Sequence, residues 1–294
     1  AGISFHVYVL DNASIDGSAD MVRVTFPQAT LIGKGTRAGF AANQNEVLRL
    51  CRNTSRYTLL LNDDTIVLGS ALRALVEFMD SHPGVAAASP RLISPQGTIQ
   101  IGYGTFPTIW LDIMRHWNLK RLLPGAPVRH VVVSHLGWLC GPHIAAYFRA
   151  IDHPDSARPV DAVFGTAMIL RREALAEVGL LDERYEMYYE DTDWCRMAKS
   201  KGWDIWYVPS AKVIHYGSCS KGVFSMVEYE RSMYAYLRKY AAAEAEVSAL
   251  KLATFPAILL RWLWHFLAHL IAHREVDRSY AEALWNIMSV TIHG

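Results

Sequence analysis

Two groups of carboxylates stand out by residue type and spacing. Asn62-Asp63-Asp64 closes the apolar run Tyr57–Leu61. Adjacent carboxylates at a strand terminus repel each other unless a cation or hydrogen-bond donors stand between them and solvent. Their hard oxygens suit Mg2+ or Mn2+, which can also bridge phosphate oxygens. The alternative is local, an Asx-turn with Asp64 capping a helix. The second group lies in Tyr188-Tyr-Glu-Asp-Thr-Asp-Trp194, where Glu190, Asp191 and Asp193 crowd a helix start. A helix N-terminus favours anions, so N-capping alone is one reading. The flanking aromatics favour another. A carboxylate in partly apolar surroundings has its pKa raised and becomes a better general base. Tyr188, Tyr189 and Trp194 are side chains that stack against a sugar ring or a base.

Two further features are weaker. Gly165-Thr166-Ala167 follows an apolar strand, and small residues there let a ligand approach the backbone. His215 ends Lys212-Val-Ile-His215. A lone histidine at a strand end is usually structural, and this one matters only if it faces Asp64.

Positioning these groups requires an alternation of strands and helices. Residues 3–10 form an apolar run ending at Asp11-Asn12. Helical pattern follows from Gly17, again over 39–52, and again over 70–81 before Pro83-Gly84. Short apolar strands are predicted at 57–61 and 85–89. This rhythm argues for an open parallel sheet with helices on its faces, whose ligands lie beyond the carboxyl ends of the strands. Asp11 and Asp63-Asp64 occupy such ends. The stretch 101–160 is irregular, with a helical excursion predicted over 110–123. Regularity resumes with a strand over 160–170 and a helix over 172–178. A helix over 193–201, strands over 204–208 and 212–216, and helices from Val227 onward complete the reading.

Composition excludes several classes. The chain has 294 residues, 51% hydrophobic and 19% charged, too apolar for disorder and long enough for a core. Lys plus Arg is 29 and Asp plus Glu is 28. With that balance no basic field exists to hold nucleic acid. Cys51, Cys140, Cys195 and Cys219 lack CxxC spacing, which fits a reducing compartment better than a disulfide scaffold. No secretory leader pattern opens the sequence.

Near the other end, 255–272 approaches the length of a bilayer span but is interrupted by Arg261, His265 and His269. Four-residue spacing puts these, with His273, on one helical stripe among Trp and Leu. Such a helix can lie in a membrane interface or pack on the main domain with the stripe in water. A metal site on His265 and His269 lacks a third ligand.

Taken in order, these segments resemble the inverting nucleotide-sugar glycosyltransferases of family 2, with the GT-A fold, and most closely their rhamnosyltransferase-like branch. The resemblance rests on Val9-Leu-Asp11-Asn12-Ala-Ser14-Ile-Asp-Gly-Ser18, Gly39-Phe-Ala-Ala-Asn-Gln-Asn45 and Leu60-Leu-Asn-Asp-Asp-Thr65. It continues through Gly165-Thr-Ala-Met-Ile-Leu-Arg-Arg172, Val178-Gly-Leu-Leu-Asp-Glu183, Tyr188–Arg196 and His215. It implies an α/β fold, with a mixed, mostly parallel Rossmann-like sheet flanked by helices and a C-terminal helical extension. The catalytic domain would span 1–225, lacking the family's usual first strand, and the helical region 226–294.

The resemblance also implies roles. Asp191 would be the catalytic base, with Glu190 beside it on the acceptor, and Tyr189 and Trp194 would contact the acceptor too. Asp11, Asn12, Ser14, Asn45, Asp63 and Gly165 would bind the nucleotide sugar. Asp64 and His215 would hold Mn2+ or Mg2+. The donor would be a dTDP- or UDP-linked sugar, with dTDP-rhamnose and a UDP-hexose as the alternatives. The acceptor would be a glycan or a polyprenyl-linked glycan of bacterial surface polysaccharide or cell-wall synthesis. The place of action would be the cytoplasm, at the inner face of the plasma membrane, with 255–272 as a peripheral contact and a second copy of the chain as a candidate partner. Arg37 and Val47 stand where the family commonly has Asn and Gly. Two rivals differ in class: a truncated, non-catalytic nucleotide-sugar-binding protein, and a nucleotidyltransferase. The latter requires a Gly-rich basic loop near the N-terminus, and none is visible.

Overall fold

The alternation read from the sequence is realised in a computed structural model that describes residues 2–118, 155–217, 222–241 and 243–293. In chain order the first elements are β1 (Tyr8–Asp11), α1 (Ser18–Thr25), β2 (Thr30–Gly33), α2 (Phe40–Cys51), β3 (Tyr57–Leu61) and β4 (Thr65–Val67). There follow α3 (Ala71–Ser81), β5 (Val85–Ile93), β6 (Ile99–Gln100), β7 (Tyr103–Gly104) and α4 (Ile109–His116). Then come β8 (Arg158–Pro159), β9 (Ala162–Val163), β10 (Ala167–Arg171), α5 (Arg172–Val178), α6 (Glu190–Ser200) and β11 (Asp204–His215). The chain ends in α7 (Val223–Tyr240), α8 (Glu244–Ala272) and α9 (Glu275–His293). The predicted excursion over 110–123 is helical in α4, and its later part lies outside the described residues, as do Cys140 and Cys219.

Two compact units are distinguished. The first comprises Ala1–Tyr103, Ala157–Glu186 and Glu190–Tyr216. Its main sheet runs β3-β10-β5-β11-β4, with β6 added to β5 and β8 to β11, and β1 and β2 form a separate parallel pair. The mixed sheet expected from the sequence is present. Within the main sheet, however, only β5 and β11 pair in parallel, while β3–β10, β10–β5 and β11–β4 are antiparallel. The two strands predicted over 204–216 are one strand, β11, whose ladder to β5 shifts register between Val208 and Lys212. Pro209 falls inside that shift, where a residue without an amide proton is tolerated.

α3 covers the sheet because its apolar residues recur at helical spacing. Ala71, Leu75 and Met79 pack with Val85, Ala88, Ile169 and Val208. Arg171 is buried at the end of β10, and its guanidinium is satisfied by the carbonyls of Val85 at 2.7 Å and His82 at 3.0 Å. A buried cation so paired avoids the full desolvation penalty.

The second unit comprises Gly104–Ser156, Met187–Tyr189 and Gly217–Gly294. α8 and α9 join in a core of Ile258, Leu284, Ile287 and Met288. Part of the polar stripe of α8 turns toward α9, while Arg261 and His273 are exposed. His265 Nδ1 lies 2.8 Å from Asp277 Oδ1 at the start of α9, and His265 stacks on Tyr280. His269 Nδ1 lies 3.2 Å from the carbonyl of Arg274. Apolar residues are exposed too, with Leu260, Leu263, Trp264, Leu267 and Ile271 open to solvent. α8 is long and apolar enough to cross a membrane by length and composition, and its most apolar window is 11% buried.

Candidate active site

β3 ends after Leu61, and the chain turns through Asn62-Asp63-Asp64 directly into β4. No helix begins there, so Asp64 is not a helix cap. β4 pairs with the end of β11, with Thr65 opposite His215. That register brings Asp64 Oδ1 to 3.4 Å from His215 Nε2. Tyr216 N also donates to the Asp64 carbonyl at 2.9 Å.

Gln100 orients the histidine. Its amide nitrogen donates to the His215 carbonyl at 3.1 Å, so its oxygen faces His215 Nδ1 at 2.7 Å. Nδ1 therefore carries a proton, and Nε2 is turned toward Asp64. A histidine nitrogen facing a carboxylate oxygen, with its far nitrogen hydrogen-bonded, is a donor set that fits Mn2+ or Mg2+. Asp63 is exposed beside this pair.

The second carboxylate group begins α6, which starts at Glu190 rather than at Asp193. Both Glu190 and Asp191 are buried. Asp191 Oδ2 accepts the N–H of Gly165 at 2.9 Å, and Oδ1 accepts those of Thr192 N and Oγ1 at 2.6 and 3.1 Å. Burial raises the Asp191 pKa, and these donors oppose the rise. Glu190 Oε2 has no hydrogen-bond partner among the described residues. Burial, and then the charge of Asp191, raise its pKa well above the usual carboxylate range. Hydrogen-bond donors favour the charged form of a carboxylate, and a buried carboxylate oxygen without them favours the protonated form, so the surroundings suit a charge on Asp191 better than one on Glu190.

The turn between β9 and β10 connects the two groups. The Thr166 carbonyl accepts Asn62 N at 3.0 Å, while Gly165 N donates to Asp191. A Cβ on Gly165 would lie 3.1 Å from the Phe40 ring and 3.8 Å from Asp191 Oδ2. The space beside Gly165 is tight, and the obstacle is the Phe40 ring.

At the end of β1, the Asp11 carboxylate holds the following turn by accepting Ser14 N at 3.3 Å. Asn12 clamps the loop before α2 through both its amide groups and the backbone of Ala38, at 3.0 and 2.9 Å. The Ser14 side chain is exposed.

Three expected contacts are corrected by burial. Asn45 is 1% exposed, and its amide is spent on Leu181 N and O and on Glu183. It joins α2 to the 181–183 loop instead of meeting a ligand. Trp194 is fully buried, with its indole N–H on the Gly179 carbonyl at 2.8 Å, so it offers no face to an acceptor. Tyr189 is enclosed by Tyr229 and Tyr236 in the helical unit, and its hydroxyl donates to Tyr229. Its neighbour Tyr188 lines a cavity there.

The helical unit also holds a cluster that sequence reading missed. Asp112, His116 and Glu230 converge in its interior, buried, with His116 Nε2 at 3.5 and 3.4 Å from the two carboxylates. By donor type they could hold a metal ion. The Arg115 guanidinium already stands 2.7 Å from each carboxylate and supplies a cation. Burial raises Asp112. It also opposes ionisation of Glu230, but hydrogen bonding from His116 and the charge of Arg115 draw Glu230 down to about 2. Gln100 was missed as well, having neither a charged side chain nor a patterned neighbourhood to mark it.

Comparison with known proteins agrees with this arrangement. Residues 2–235 match the glycosyltransferase-like family 2. The chain is 26% identical over 243 residues to the N-acetylglucosaminyl-diphospho-decaprenol L-rhamnosyltransferase of Mycobacterium tuberculosis, covering 79% of this chain and 74% of that protein. Among solved structures it is similar to the mannosyltransferase PcManGT from Pyrobaculum calidifontis in complex with GDP-Man and Mn2+, with TM-score 0.53 and 15% identity. That match covers 98% of this chain and 76% of that one. It is also similar to GalNAc-T7 with UDP, GalNAc and Mn2+, with TM-score 0.51 and 13% identity over 79% of this chain and 41% of that one. At such identities the two structures establish the fold, which is GT-A. The chain belongs to the glycosyltransferase-like family 2 and is a sugar-transferring enzyme.

Proposed function

We propose that this glycosyltransferase moves a sugar, rhamnose foremost, from a nucleoside-diphosphate donor to a lipid-linked glycan with inversion at the anomeric carbon. The observation that carries the reading is the Gly165-Thr166 turn, which ties the Asp64 strand end to the buried base. Rhamnose and a lipid-linked acceptor are supported by the name of the mycobacterial relative.

Asp191, ionised beside a protonated Glu190, accepts the proton of an acceptor hydroxyl. The freed oxygen attacks the anomeric carbon from the face opposite the leaving diphosphate, so configuration inverts without a covalent sugar–enzyme intermediate. Glu190, still protonated, donates a hydrogen bond to the acceptor. Asp64 and His215 would hold Mn2+ or Mg2+, which when bound neutralises the departing diphosphate. Asp11, Asn12 and Ser14 shape the base pocket, Asp63 lies toward the ribose, and Gly165 lets the donor sugar approach the backbone. Asn45 acts at one remove, by fixing the 181–183 loop. The exposed apolar residues of α8 support work at the cytoplasmic face of the plasma membrane, where a lipid-linked acceptor is found.

Calorimetric titration of dTDP and UDP, with and without Mn2+, tests the donor. The expected result is Mn2+-dependent binding of dTDP, followed by transfer from dTDP-rhamnose to a polyprenyl-diphosphate glycan. Preference for UDP would replace rhamnose with a UDP-linked hexose. Binding of neither nucleotide to folded protein would overturn the donor site.

A further inference from the structure

Between residues 252 and 271 of α8 every exposed residue is apolar except Arg261. Leu252, Leu260, Leu263, Trp264, Leu267 and Ile271 are between 39% and 81% exposed. Their spacing follows the helical period, so they fall on one side of the helix. At ~1.5 Å per residue that face runs for about 28 Å. Arg261, one residue beyond Leu260, leaves the axis about 100° round from it and stands at the edge of the face.

The opposite side of α8 is committed to protein. Leu250, Ala257 and Ile258 are buried, Ile258 in the core shared with α9. Trp117 Nε1 donates to the Ala253 carbonyl at 2.9 Å, and His265 pairs with Asp277 at 2.8 Å. A helix anchored along one side, with an ion pair in the seam, is not encircled by lipid, so α8 does not cross a bilayer. Nor is it the core helix of a water-soluble fold, which would be mostly buried.

Contiguous apolar surface of this extent marks an interaction site. A protein partner would ask for polar groups, since interfaces carry about one hydrogen bond per 100–200 Å². The face offers one side-chain hydrogen-bonding group, the indole N–H of Trp264. Hydrocarbon asks for none. Tryptophan and arginine beside an apolar stripe are the side chains that reach head groups from it. Over 244–293 four Lys or Arg stand against five Asp or Glu, so attraction rests on apolar burial rather than on charge.

We infer that α8 docks flat on a phospholipid bilayer, with its Leu252–Ile271 face sunk among the acyl chains and Arg261 at the level of the head-group phosphates. This docking names the surface on which a lipid-linked acceptor is met, and it rests on the transferase reading for that consequence alone.

Flotation of the full chain with phosphatidylcholine vesicles, without donor or metal, tests it. Binding is expected, and added salt or phosphatidylglycerol should change it less than about twofold. Leu263→Glu and Leu267→Glu should each weaken it by about 10–100-fold, while melting and releasing donor sugar in solution like the wild type. Val24→Glu, at an exposed position of α1, should bind like the wild type. Lipids brominated near the head group should quench Trp264 more than lipids brominated at the chain end, with Trp264→Phe identifying its share. Absence of flotation, or binding lost at high salt, would overturn the inference. Stronger quenching at the chain end would do so by making α8 a crossing helix, and an equal loss in Val24→Glu by taking the contact away from α8. A dimer that Leu267→Glu splits in light scattering, with flotation unchanged, would give the face to a second copy. Vesicle binding by a chain that transfers no sugar would uphold the docking and sink the transferase reading. Transfer to a soluble acceptor by a chain that binds no vesicles would do the reverse.

Discussion

His215 Nε2 lies 3.4 Å from Asp64 Oδ1, with Gln100 fixing the far side of the imidazole at 2.7 Å. The pairing is a product of register. β4 adds antiparallel to β11, so the residue before β4 and the last residue of β11 must meet. Gln100 is a positioning residue, because its side-chain amide bonds the histidine through both its nitrogen and its oxygen. Gln100→Leu is therefore expected to weaken Mn2+ dependence by about 10–100-fold while leaving kcat at saturating Mn2+ near normal. Asp64→Ala should abolish turnover at any Mn2+ concentration. Mn2+ titration of donor-sugar release measures both. An unchanged Mn2+ midpoint in Gln100→Leu would remove Gln100 from this role.

The buried carboxylate pair predicts a division of labour. Asp191→Asn should lower kcat by about 10²–10⁴-fold, the usual range for a lost general base. Glu190→Gln keeps a hydrogen-bond donor and should cost far less. Because burial raises Asp191, activity should fall as the medium is acidified through a pKa above the ordinary value of about 4. The pH profile of kcat locates that limb, and equal losses in the two variants would argue against Asp191 as the sole base.

Glu190 makes a separate prediction about stability. Its folded-state pKa is raised, so above the unfolded value of about 4.3 the folded protein retains a proton that the unfolded chain releases. Stability then falls as pH rises from about 4.3 through the folded pKa. Glu190→Gln lacks that slope. It should melt about 2–4 °C above the wild type at pH 7, equivalent to ~1 kcal/mol, with the gap closing toward pH 4. Thermal melts across this pH range check it. A gap that widens on acidification would mean that Glu190 is ionised in the fold.

What the sequence disclosed and what it hid follow from the reach of periodicity. Strand ends carrying Asp11 and Asp63-Asp64 are legible because a buried strand is a contiguous run with a sharp polar terminus. The antiparallel partners of β10 are not legible, since pairing depends on segments far apart in the chain. The α8 stripe is a clear case. Spacing correctly put Arg261, His265 and His269 on one line, but it could not say that α9, with Asp277 and Tyr280, covers part of it. Aromatic type likewise marked Trp194 without revealing that it is enclosed. The Asp112–Arg115–Glu230 network joins α4 to α7 across a long stretch of sequence, and no local pattern announces it.

Two glycines beside the base should respond differently to the same added methyl group. A Cβ on Gly39 would meet the Glu186 carbonyl oxygen at 2.8 Å, where Phe40 N already donates at 2.7 Å. Backbone cannot yield cheaply there, so Gly39→Ala should destabilise by about 1–3 kcal/mol, as overpacking usually does. Trimming a neighbouring side chain should not rescue it. A Cβ on Gly165 would meet the Phe40 ring at 3.1 Å, and a ring can move. Gly165→Ala should fold but lose on the order of tenfold in kcat, because the displaced turn carries the N–H that holds Asp191. Adding Phe40→Leu should restore most of that activity by vacating the space. Melting temperature and kcat of the single and double variants separate the two cases. Rescue of Gly39→Ala by Phe40→Leu, or its failure in Gly165→Ala, would show that the ring is not what confines the turn.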